Sequence, residues 1–364
     1  MIALWIAAFI VGMALIVWGA EAFAENLGAA SVKLGVSSFA LALLLAGAEP
    51  EELATVVAAS LKGAPGIALG DVIGTNVAIC LVALGVGALA APLPFTGSVR
   101  RYALAGLPLG AIAAWTAWDG TVSRPEGALL ILLYFAFVAV IWRLERRPPS
   151  LGETKAVSEA TDKAAPPRVG RALGTVLAGV VAMVVGSTLL VEAVQRVAGG
   201  EARQTKLGLT VVGFATGFEL VVLAWSTARR GATEAAIAGV VGSFAYNVTM
   251  TLGAGALARP LTILNPNALH TPWLAMVAAL GFVLALSWRG GTLGRWSGAV
   301  LLSLYPTFVA LVWIGTDQPL RLVLVCFTAT QKPSKAKISL NVVFYVFDYQ
   351  NALVWCPLWG TCVA

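Results

Sequence analysis

The chain contains ten apolar stretches, each close to the length that a helix needs to cross a lipid bilayer. Such a helix requires about 20 mostly apolar residues, because the hydrocarbon core is about 30 Å thick and a helix rises about 1.5 Å per residue. The stretches lie at residues 2–20, 36–60, 66–91, 102–118, 127–143, 172–195, 206–228, 234–258, 272–288 and 296–315. They predict an all-α polytopic membrane protein with ten transmembrane helices.

The charge content supports the same class of protein. Only 12% of the residues are charged, about half of the roughly 25% that is usual for a soluble domain. This composition excludes a cytosolic enzyme, a nucleic-acid-binding protein and a disordered scaffold. We therefore expect the lipid bilayer to surround the chain, and we expect no nucleic-acid partner.

Basic residues between the apolar stretches predict the orientation. Residues 144–171 form the one long polar segment between the stretches, with Pro-Pro pairs at 148–149 and 166–167 that are typical of a linker. If this segment is cytoplasmic, fourteen Lys and Arg residues lie on the inside and six on the outside. Since basic residues are enriched on the cytoplasmic side, we expect a multi-pass protein of the cell membrane with its N-terminus outside.

A repeated sequence divides the chain into two halves. LGVGALAAPL at 84–93 and LGAGALARPL at 252–261 are identical at eight of ten positions, with an offset of 168 residues. Five spans separate the copies, and an odd number means that the two halves cross the membrane in opposite senses. The expected divisions are a five-helix repeat at 1–143, a cytoplasmic linker at 144–171, a second five-helix repeat at 172–315 and a tail of unassigned role at 316–364. Inverted repeats of this kind are typical of secondary transporters, which bind substrate near the bilayer midplane.

Acidic residues lie inside two of the apolar stretches. The second span contains Glu49, Glu51 and Glu52, and the seventh contains Glu219. A charge at the centre of a membrane costs at least about 2.5–3.5 kcal/mol on insertion scales, so it indicates a functional site. Residues three apart share a helical face, which would place Glu49 with Glu52 and direct Glu51 away from them. Thr216 repeats this three-residue spacing before Glu219.

Two further segments, 70–85 and 239–253, carry a hydroxyl and an amide side chain after a Gly. These side chains are Thr75 and Asn76 in the first segment and Ser243 and Asn247 in the second. Carboxylate, hydroxyl and amide oxygens together favour a hard cation such as Ca²⁺ or Na⁺. Asp71 is interpreted as a residue of the helix start, near the interface.

Both copies of this pattern resemble the α-repeats of the calcium/cation antiporter superfamily, which includes the sodium/calcium exchangers. Each family repeat reads approximately G-T-S-x-P-E-L on one helix and G-S-N-x-x-N/D on the next. GAEPEEL at 47–53 with GDVIGTNVAI at 70–79 resembles the first repeat, within motifs spanning 47–79. GLTVVGFATGFEL at 208–220 with GVVGSFAYN at 239–247 resembles the second, within 208–247. The similarity extends over about residues 1–315.

The resemblance implies that the paired acidic ligands of the family fall on Glu52 and Glu219. It places the remaining hydroxyl and amide ligands on Thr75, Thr216, Ser243 and Asn247. This chain departs from the pattern at Ile79, which has no side-chain oxygen where the family has Asn or Asp. The Thr-Ser pair of the first repeat is Ala48-Glu49 here. We expect Glu49 to supply the oxygen missing at Ile79, provided that the two residues approach each other.

These features predict a secondary active antiporter that exchanges Ca²⁺, or another divalent cation, for Na⁺ or H⁺ by alternating access. The cations are substrates, and we expect no cofactor; the oligomeric state is left open. Close carboxylates cannot all remain ionised without a cation, so the empty site should bind a proton or Na⁺. The alternatives are a non-transporting cation sensor or an intramembrane enzyme on the same fold. The sequence contains no HExxH motif that would favour an enzyme.

Overall fold

The computed structural model describes residues 2–33, 49–95, 97–145, 169–230, 233–288, 290–314, 322–331, 338–348 and 351–357. The helices are α1 (Ile2–Lys33), α2 (Pro50–Leu61), α3 (Pro65–Ala78), α4 (Leu84–Ala90), α5 (Gly97–Thr116), α6 (Arg124–Glu145), α7 (Val169–Ala198), α8 (Glu201–Leu207), α9 (Gly213–Thr216), α10 (Phe218–Arg229), α11 (Thr233–Tyr246), α12 (Leu252–Ala258), α13 (Asn267–Trp288) and α14 (Arg295–Ile314). Three π-helical turns, π1 (Ile79–Ala83), π2 (Gly208–Val212) and π3 (Asn247–Thr251), join α3 to α4, α8 to α9 and α11 to α12.

The described residues contain eight helical segments that are long and apolar enough to cross a membrane. The predicted second span is described only from residue 49, and the predicted fourth corresponds to α5, which is not among the eight. An all-α membrane protein is therefore confirmed, whereas the count of ten spans stays a prediction. Most of the predicted linker, at 146–168, lies outside the described residues.

Two of these segments form the centre of the molecule. In an apolar 18-residue window of Pro65–Ala90 and of Ile237–Ala258, 83% and 89% of the residues are buried inside the protein, compared with 17% in such a window of Ile2–Phe23. Both central segments are rich in Gly and Ala, which allows neighbouring helix backbones to approach closely. Longer apolar side chains cover the outer helices, where they face the expected lipid.

The halves are joined by two short antiparallel bridges. Strand β1 (Leu93–Pro94) pairs with β4 (Thr292–Leu293), and β2 (Thr121–Val122) pairs with β3 (Leu261–Thr262). Adding the repeat offset of 168 to the residue numbers of β1 gives the residue numbers of β3. Each bridge therefore joins one half to the other, and the two bridges are related by an approximate two-fold axis, as expected for inverted repeats.

Glycine contacts between helices follow the same symmetry. A β-carbon on Gly298 would lie 2.7 Å from the carbonyl oxygen of Gly85, and one on Gly253 would lie 2.6 Å from that of Gly127. Gly85 and Gly253 are separated by the repeat offset. These positions require Gly because any side chain would collide with the backbone of the other half.

The tail contains strands, which the sequence did not predict. Strands β5 (Leu322–Gln331), β6 (Ile338–Asp348) and β7 (Asn351–Pro357) form an antiparallel sheet in the order β5–β6–β7. The all-α architecture therefore belongs to the membrane part of the chain and does not extend to the tail, whose role stays unassigned.

Close packing at Gly253 leads to a stability prediction. Gly253→Val should lower the stability of the protein by about 1–3 kcal/mol, the usual cost of an overpacked contact, because its β-carbon would meet the Gly127 carbonyl. Gly174→Val is the matched control, since a β-carbon on Gly174 has no neighbour within 4 Å. Thermal unfolding in detergent measures both variants. Equal melting temperatures for the two would contradict the predicted packing of the two halves.

Candidate functional site

Carboxylate side chains are buried between the central helices. Glu51, Glu52 and Asp71 expose only 1%, 2% and 1% of their surface. An ionised carboxylate in an apolar interior is unstable unless other groups compensate its charge. The surroundings of these side chains therefore determine what the site can do.

Glu51 and Glu52 lie where a helix begins inside the membrane part of the protein. Glu49 has a non-helical backbone (φ −120°, ψ 85°), and Pro50 occupies the start of α2, where its missing N–H is not required. Both carboxylates are in the first turn of α2. Free N–H groups and the positive end of the helix dipole stabilise negative charge there.

A helix break lies in the other half. Gly217 interrupts the helix between α9 and α10, with φ −73° and ψ −4°, and Glu219 lies in the first turn of α10. Its side chain is half-buried. Each half therefore presents carboxylate in the first turn of a helix, and in the second half that helix is discontinuous, as at many transporter binding sites.

Packing contacts show which residue of α2 corresponds to which residue of α10. Helices α2 and α10 each have 12 residues, and their first residues are 168 apart. A β-carbon on Gly255 would lie 2.7 Å from Cγ1 of Val56, and one on Gly87 would lie 3.5 Å from Cβ of Ala224. Both the glycines and their partners are related by the offset of 168. Equivalent residues of α2 and α10 therefore differ by 168 in residue number.

This register corrects the interpretation of Glu51. An offset of 168 makes Glu51 the equivalent of Glu219, while Glu52 corresponds to Leu220. The three-residue spacing predicted that Glu51 points away from the site, but its side chain is 1% exposed and close enough to repel Glu219 electrostatically. The three-residue spacing was misleading because Glu49 precedes the helix and does not follow its periodicity.

Asp71 also belongs to this group of buried carboxylates, although the sequence predicted a residue of the helix start. It lies in the second turn of α3 and is 1% exposed. Its Oδ1 atom is 3.0 Å from the hydroxyl oxygen of Thr216 and 3.4 Å from that of Thr75. The two hydroxyl oxygens are 2.9 Å apart. The hydroxyl groups of Thr75 and Thr216, both predicted ligands, thus contact each other and the Asp71 carboxylate.

Glycine permits this contact between the halves. A β-carbon on Gly213 would lie 2.5 Å from the backbone nitrogen of Thr75 and 2.7 Å from the carbonyl carbon of Gly74. Helix α9 can therefore pack directly on the backbone of α3. The close approach brings the Thr216 hydroxyl, one turn after Gly213, to Asp71.

Ser243 and Asn247 form the facing side of the site. The Asn247 amide nitrogen is 3.4 Å from the Ser243 hydroxyl, and Thr251 donates to the Asn247 carbonyl oxygen at 3.2 Å. Asn247 also lies beside the Glu52 carboxylate. The predicted grouping of Glu52, Ser243 and Asn247 is thus present.

The two halves differ at the π-helical turns. Asn247 begins π3 and Ile79, at the equivalent position, begins π1. A β-carbon on Gly217 would lie 3.2 Å from Cγ2 of Ile79, so this apolar side chain packs against the break before α10. Asn247 therefore makes polar contacts in the second half, whereas Ile79 makes an apolar contact at the equivalent position of the first half.

Glu49 is also buried at the site, with 2% exposure. Its carboxyl group lies beside that of Glu51, and Glu49 precedes the helix that carries Glu52. Three acidic side chains repel the Glu52 carboxylate, and from the strongest to the weakest they are Asp71, Glu51 and Glu219. The predicted central pair of Glu52 and Glu219 is therefore part of a wider group of carboxylates.

Several buried oxygen atoms of the site accept no hydrogen bond from the described residues. These atoms are both carboxylate oxygens of Glu51, Oε1 of Glu52, Oδ2 of Asp71, Oδ1 of Asn76 and Oε2 of Glu219. The ion pairs shown between described residues join Glu192 to Lys62 and Arg196, and they include none of these carboxylates. Buried acceptors without donors provide favourable ligands for a cation.

Within the described ranges, the acidic, imidazole and thiol side chains form no group of three that could hold a metal ion by themselves.

Comparison with known proteins identifies the family. A family profile described as "Sodium/calcium exchanger protein" matches residues 4–143 and 171–314. The chain belongs to this family. Its members are transporters, not enzymes, so the sodium/calcium exchanger family excludes the alternative of an intramembrane enzyme.

Similar proteins match this chain over most of their length. The sodium/calcium exchanger MaX1 of Methanosarcina acetivorans is 25% identical over 342 residues, covering 84% of this chain and 97% of the relative. The inner membrane protein YrbG of Escherichia coli is 25% identical over 318 residues, covering 84% and 96%. A solved structure of the sodium-calcium exchanger NCX_Mj has a TM-score of 0.54 with 22% identity, covering 88% of this chain and all of that one. The exchanger-family chain therefore shares the NCX_Mj fold.

The structural register makes a prediction for Ca²⁺ binding. Glu51→Gln should weaken binding at least as much as Glu52→Gln, each by about 10- to 100-fold, because a buried charged ligand contributes about 1.5–3 kcal/mol. Isothermal titration of the purified protein with Ca²⁺ measures both. Wild-type affinity in Glu51→Gln, with weakened binding in Glu52→Gln, would show that Glu51 faces away from the ion after all.

Proposed function

We propose that this protein is a secondary active antiporter that exchanges Ca²⁺, or another divalent cation, for Na⁺ or H⁺ by alternating access. The observation that carries the proposal is a group of buried carboxylates at and near the first turns of α2 and α10. Their unpartnered oxygens match the preference of hard cations. The exchanger relatives and the shared fold support the same conclusion.

The buried charge provides a physical reason for exchange. A site with several ionised carboxylates and no bound cation carries a large desolvation penalty in the low dielectric of the protein interior. Loading with a divalent cation or with competing monovalent ions lowers that penalty. The loaded forms can therefore change their access from one side to the other, while the empty form is disfavoured. Such a difference produces obligatory exchange without a separate gate.

The proposed ligands belong to both halves of the protein. Glu52 and Glu219 supply charge, with Glu49 and Glu51 beside them. Neutral oxygens come from Thr75, Thr216, Ser243 and Asn247. The proposal includes no cofactor, since the cations are the substrates.

The remaining parts of the proposal concern arrangement in the membrane. We propose that residues 1–143 and 172–315 form the two repeats and that residues 144–171 form a cytoplasmic linker. The N-terminus then lies outside the cell membrane. These assignments rest on the basic residues between the apolar stretches.

A non-transporting cation sensor is the second candidate function. It is favoured by Ile79, which removes a side-chain oxygen from one of the two equivalent π-helical turns. A sensor and an antiporter both bind the cation, but only the antiporter moves it across a membrane. Flux measurements therefore separate the two.

Transport should depend on the two family carboxylates. Glu52→Gln and Glu219→Gln should each reduce Ca²⁺ flux to background, because the amide keeps the shape of the side chain but removes the charge that binds the ion. Glu192→Gln is the matched control, since its carboxylate belongs to a partly exposed ion pair whose contribution is about 0–1 kcal/mol. Radioactive Ca²⁺ uptake into proteoliposomes, with Na⁺ and H⁺ gradients imposed separately, measures flux and identifies the coupling ion.

Wild-type flux in Glu52→Gln and Glu219→Gln would contradict the site assignment. Absence of gradient-driven flux in the wild-type protein, with Ca²⁺ binding retained, would favour the sensor.

A further inference from the structure

Four of the six basic residues that the sequence predicts on the outer side of the membrane lie around the junction of α7 and α8. This basic cluster consists of Lys62 directly after α2, Arg196 in the last turn of α7, and Arg203 and Lys206 in α8. Basic residues are depleted on the outer side of membrane proteins, so their concentration at one place requires another cause. The proposed antiport supplies none, because the cluster is separate from the buried carboxylates.

The basic cluster carries excess positive charge. The Glu192 carboxylate lies 2.8 Å from Nζ of Lys62 and 2.8 Å from Nε of Arg196, so one negative charge is shared by two positive ones. The carboxylate of Glu201, at the start of α8, accepts a backbone N–H at 2.7 Å. Arg203 is exposed and adds a further positive charge. Guanidinium groups are well suited to phosphate, which they can bind through two parallel hydrogen bonds.

An apolar groove opens beside the basic cluster. It has a volume of about 200 Å³, and its lining includes Trp5 and Phe9 of α1, Val197 of α7, Leu207 of α8 and Val211 of π2. Val197 and Val211 are 42% and 43% exposed, so the groove is open towards the surrounding lipid. It is smaller than the pockets of about 300–1,000 Å³ that usually bind small molecules. Its size and apolar lining favour a single hydrocarbon chain.

Glycine packing explains why this groove remains open. Helix α1 packs closely on α7, where a β-carbon on Gly12 would lie 2.7 Å from the carbonyl oxygen of Gly186. The turn π2 packs on α3 instead, where a β-carbon on Gly208 would lie 3.0 Å from the carbonyl oxygen of Gly66. Because α1 and π2 are held against different neighbours, the space between them stays unfilled.

Two arginines of the basic cluster lie at the rim of the groove. The guanidinium carbon of Arg196 is 5.6 Å from the centre of the Trp5 ring, which lines the groove. Arg203 precedes Leu207 by four residues, so the two share a face of α8. Trp side chains are typical of the membrane–water interface. Arg196 and Arg203 therefore lie at the level of the lipid headgroups, next to the groove.

We infer that this groove binds an acyl chain of an anionic phospholipid, whose phosphate is held by Arg196 and Arg203. The phosphate balances the excess positive charge of the basic cluster, and the chain covers the apolar side chains between α1 and π2. A free anion would use only the cluster, and a neutral lipid would use only the groove. The site is separate from the buried carboxylates, so the inference does not depend on the proposed antiport.

Lipid binding to the purified, delipidated protein tests this site directly. Native mass spectrometry counts bound phosphatidylglycerol and bound phosphatidylcholine, two lipids that are compared with identical acyl chains. The wild type should bind one phosphatidylglycerol at least about fivefold more tightly than phosphatidylcholine, the factor that corresponds to about 1 kcal/mol for a basic residue near an anionic headgroup. Arg203→Gln should lose about fivefold in affinity for phosphatidylglycerol and keep its affinity for phosphatidylcholine. Arg203→Lys should retain most of the preference.

Each part of the site has a matched control. Arg124→Gln is the control for charge, because Arg124 is exposed on the same predicted side of the membrane but does not line the groove. Val211→Phe should remove the tightly bound phosphatidylglycerol, because the ring occupies the groove. Val222→Phe is the control for size, since Val222 is 53% exposed on α10 and lies outside the groove. Both controls should bind phosphatidylglycerol as the wild type does.

Three results would overturn the inference. Equal affinity of the wild type for the two lipids would mean that the basic cluster does not recognise the headgroup. An equal loss of phosphatidylglycerol binding in Arg124→Gln and Arg203→Gln would assign the preference to general surface charge. Tightly bound phosphatidylglycerol in Val211→Phe would show that the acyl chain does not occupy the groove.

Discussion

Burial of several carboxylates, with no basic partner shown among the described residues, is the constraint on which the rest of this structure depends. Glu51, Glu52 and Asp71 are almost entirely removed from solvent, and each would be strongly unfavourable as an isolated charge. The fold responds with features that reduce this cost. The first turns of α2 and α10 place free N–H groups near the carboxylates, and close glycine contacts bring hydroxyl groups from the other half. What remains unbalanced is negative charge, which a bound cation can neutralise.

The approximate two-fold symmetry arranges the framework, and departures from it distinguish the two sides of the site. The bridges β1–β4 and β2–β3 follow the repeat, as do the contacts of Gly85 with Gly298 and of Gly253 with Gly127. At the ion site, however, Asp71 is matched by Gly239 and Ile79 by Asn247. A symmetric frame therefore carries unequal polar groups on its two sides.

Much of this organisation could be predicted from the sequence. Apolar stretches of bilayer length predicted the membrane helices, and the repeat at 84–93 and 252–261 predicted the 168-residue offset that the glycine contacts follow. The hydroxyl residues Thr75 and Thr216 were predicted as ligands, and the structure brings their oxygens to 2.9 Å.

The errors have physical causes. Counting a helical face from Glu49 failed because α2 begins one residue later, at Pro50, so the face of Glu51 was misjudged. Asp71 was taken for an end residue because it lies only six positions after Pro65, and burial depends on neighbouring helices that the sequence does not reveal. The strands of the tail were missed because its composition shows no regular period.

The most direct test of the account is whether cations stabilise the purified protein. A ligand that binds only the folded state adds about 2.7 kcal/mol at 100 times its dissociation constant. Thermal unfolding in detergent should therefore shift to higher temperature as Ca²⁺ is added, compared with choline chloride at equal ionic strength, and the shift should be lost in Glu52→Gln. A melting temperature that does not change with Ca²⁺ or Na⁺ would contradict the claim that the buried carboxylates form a cation site.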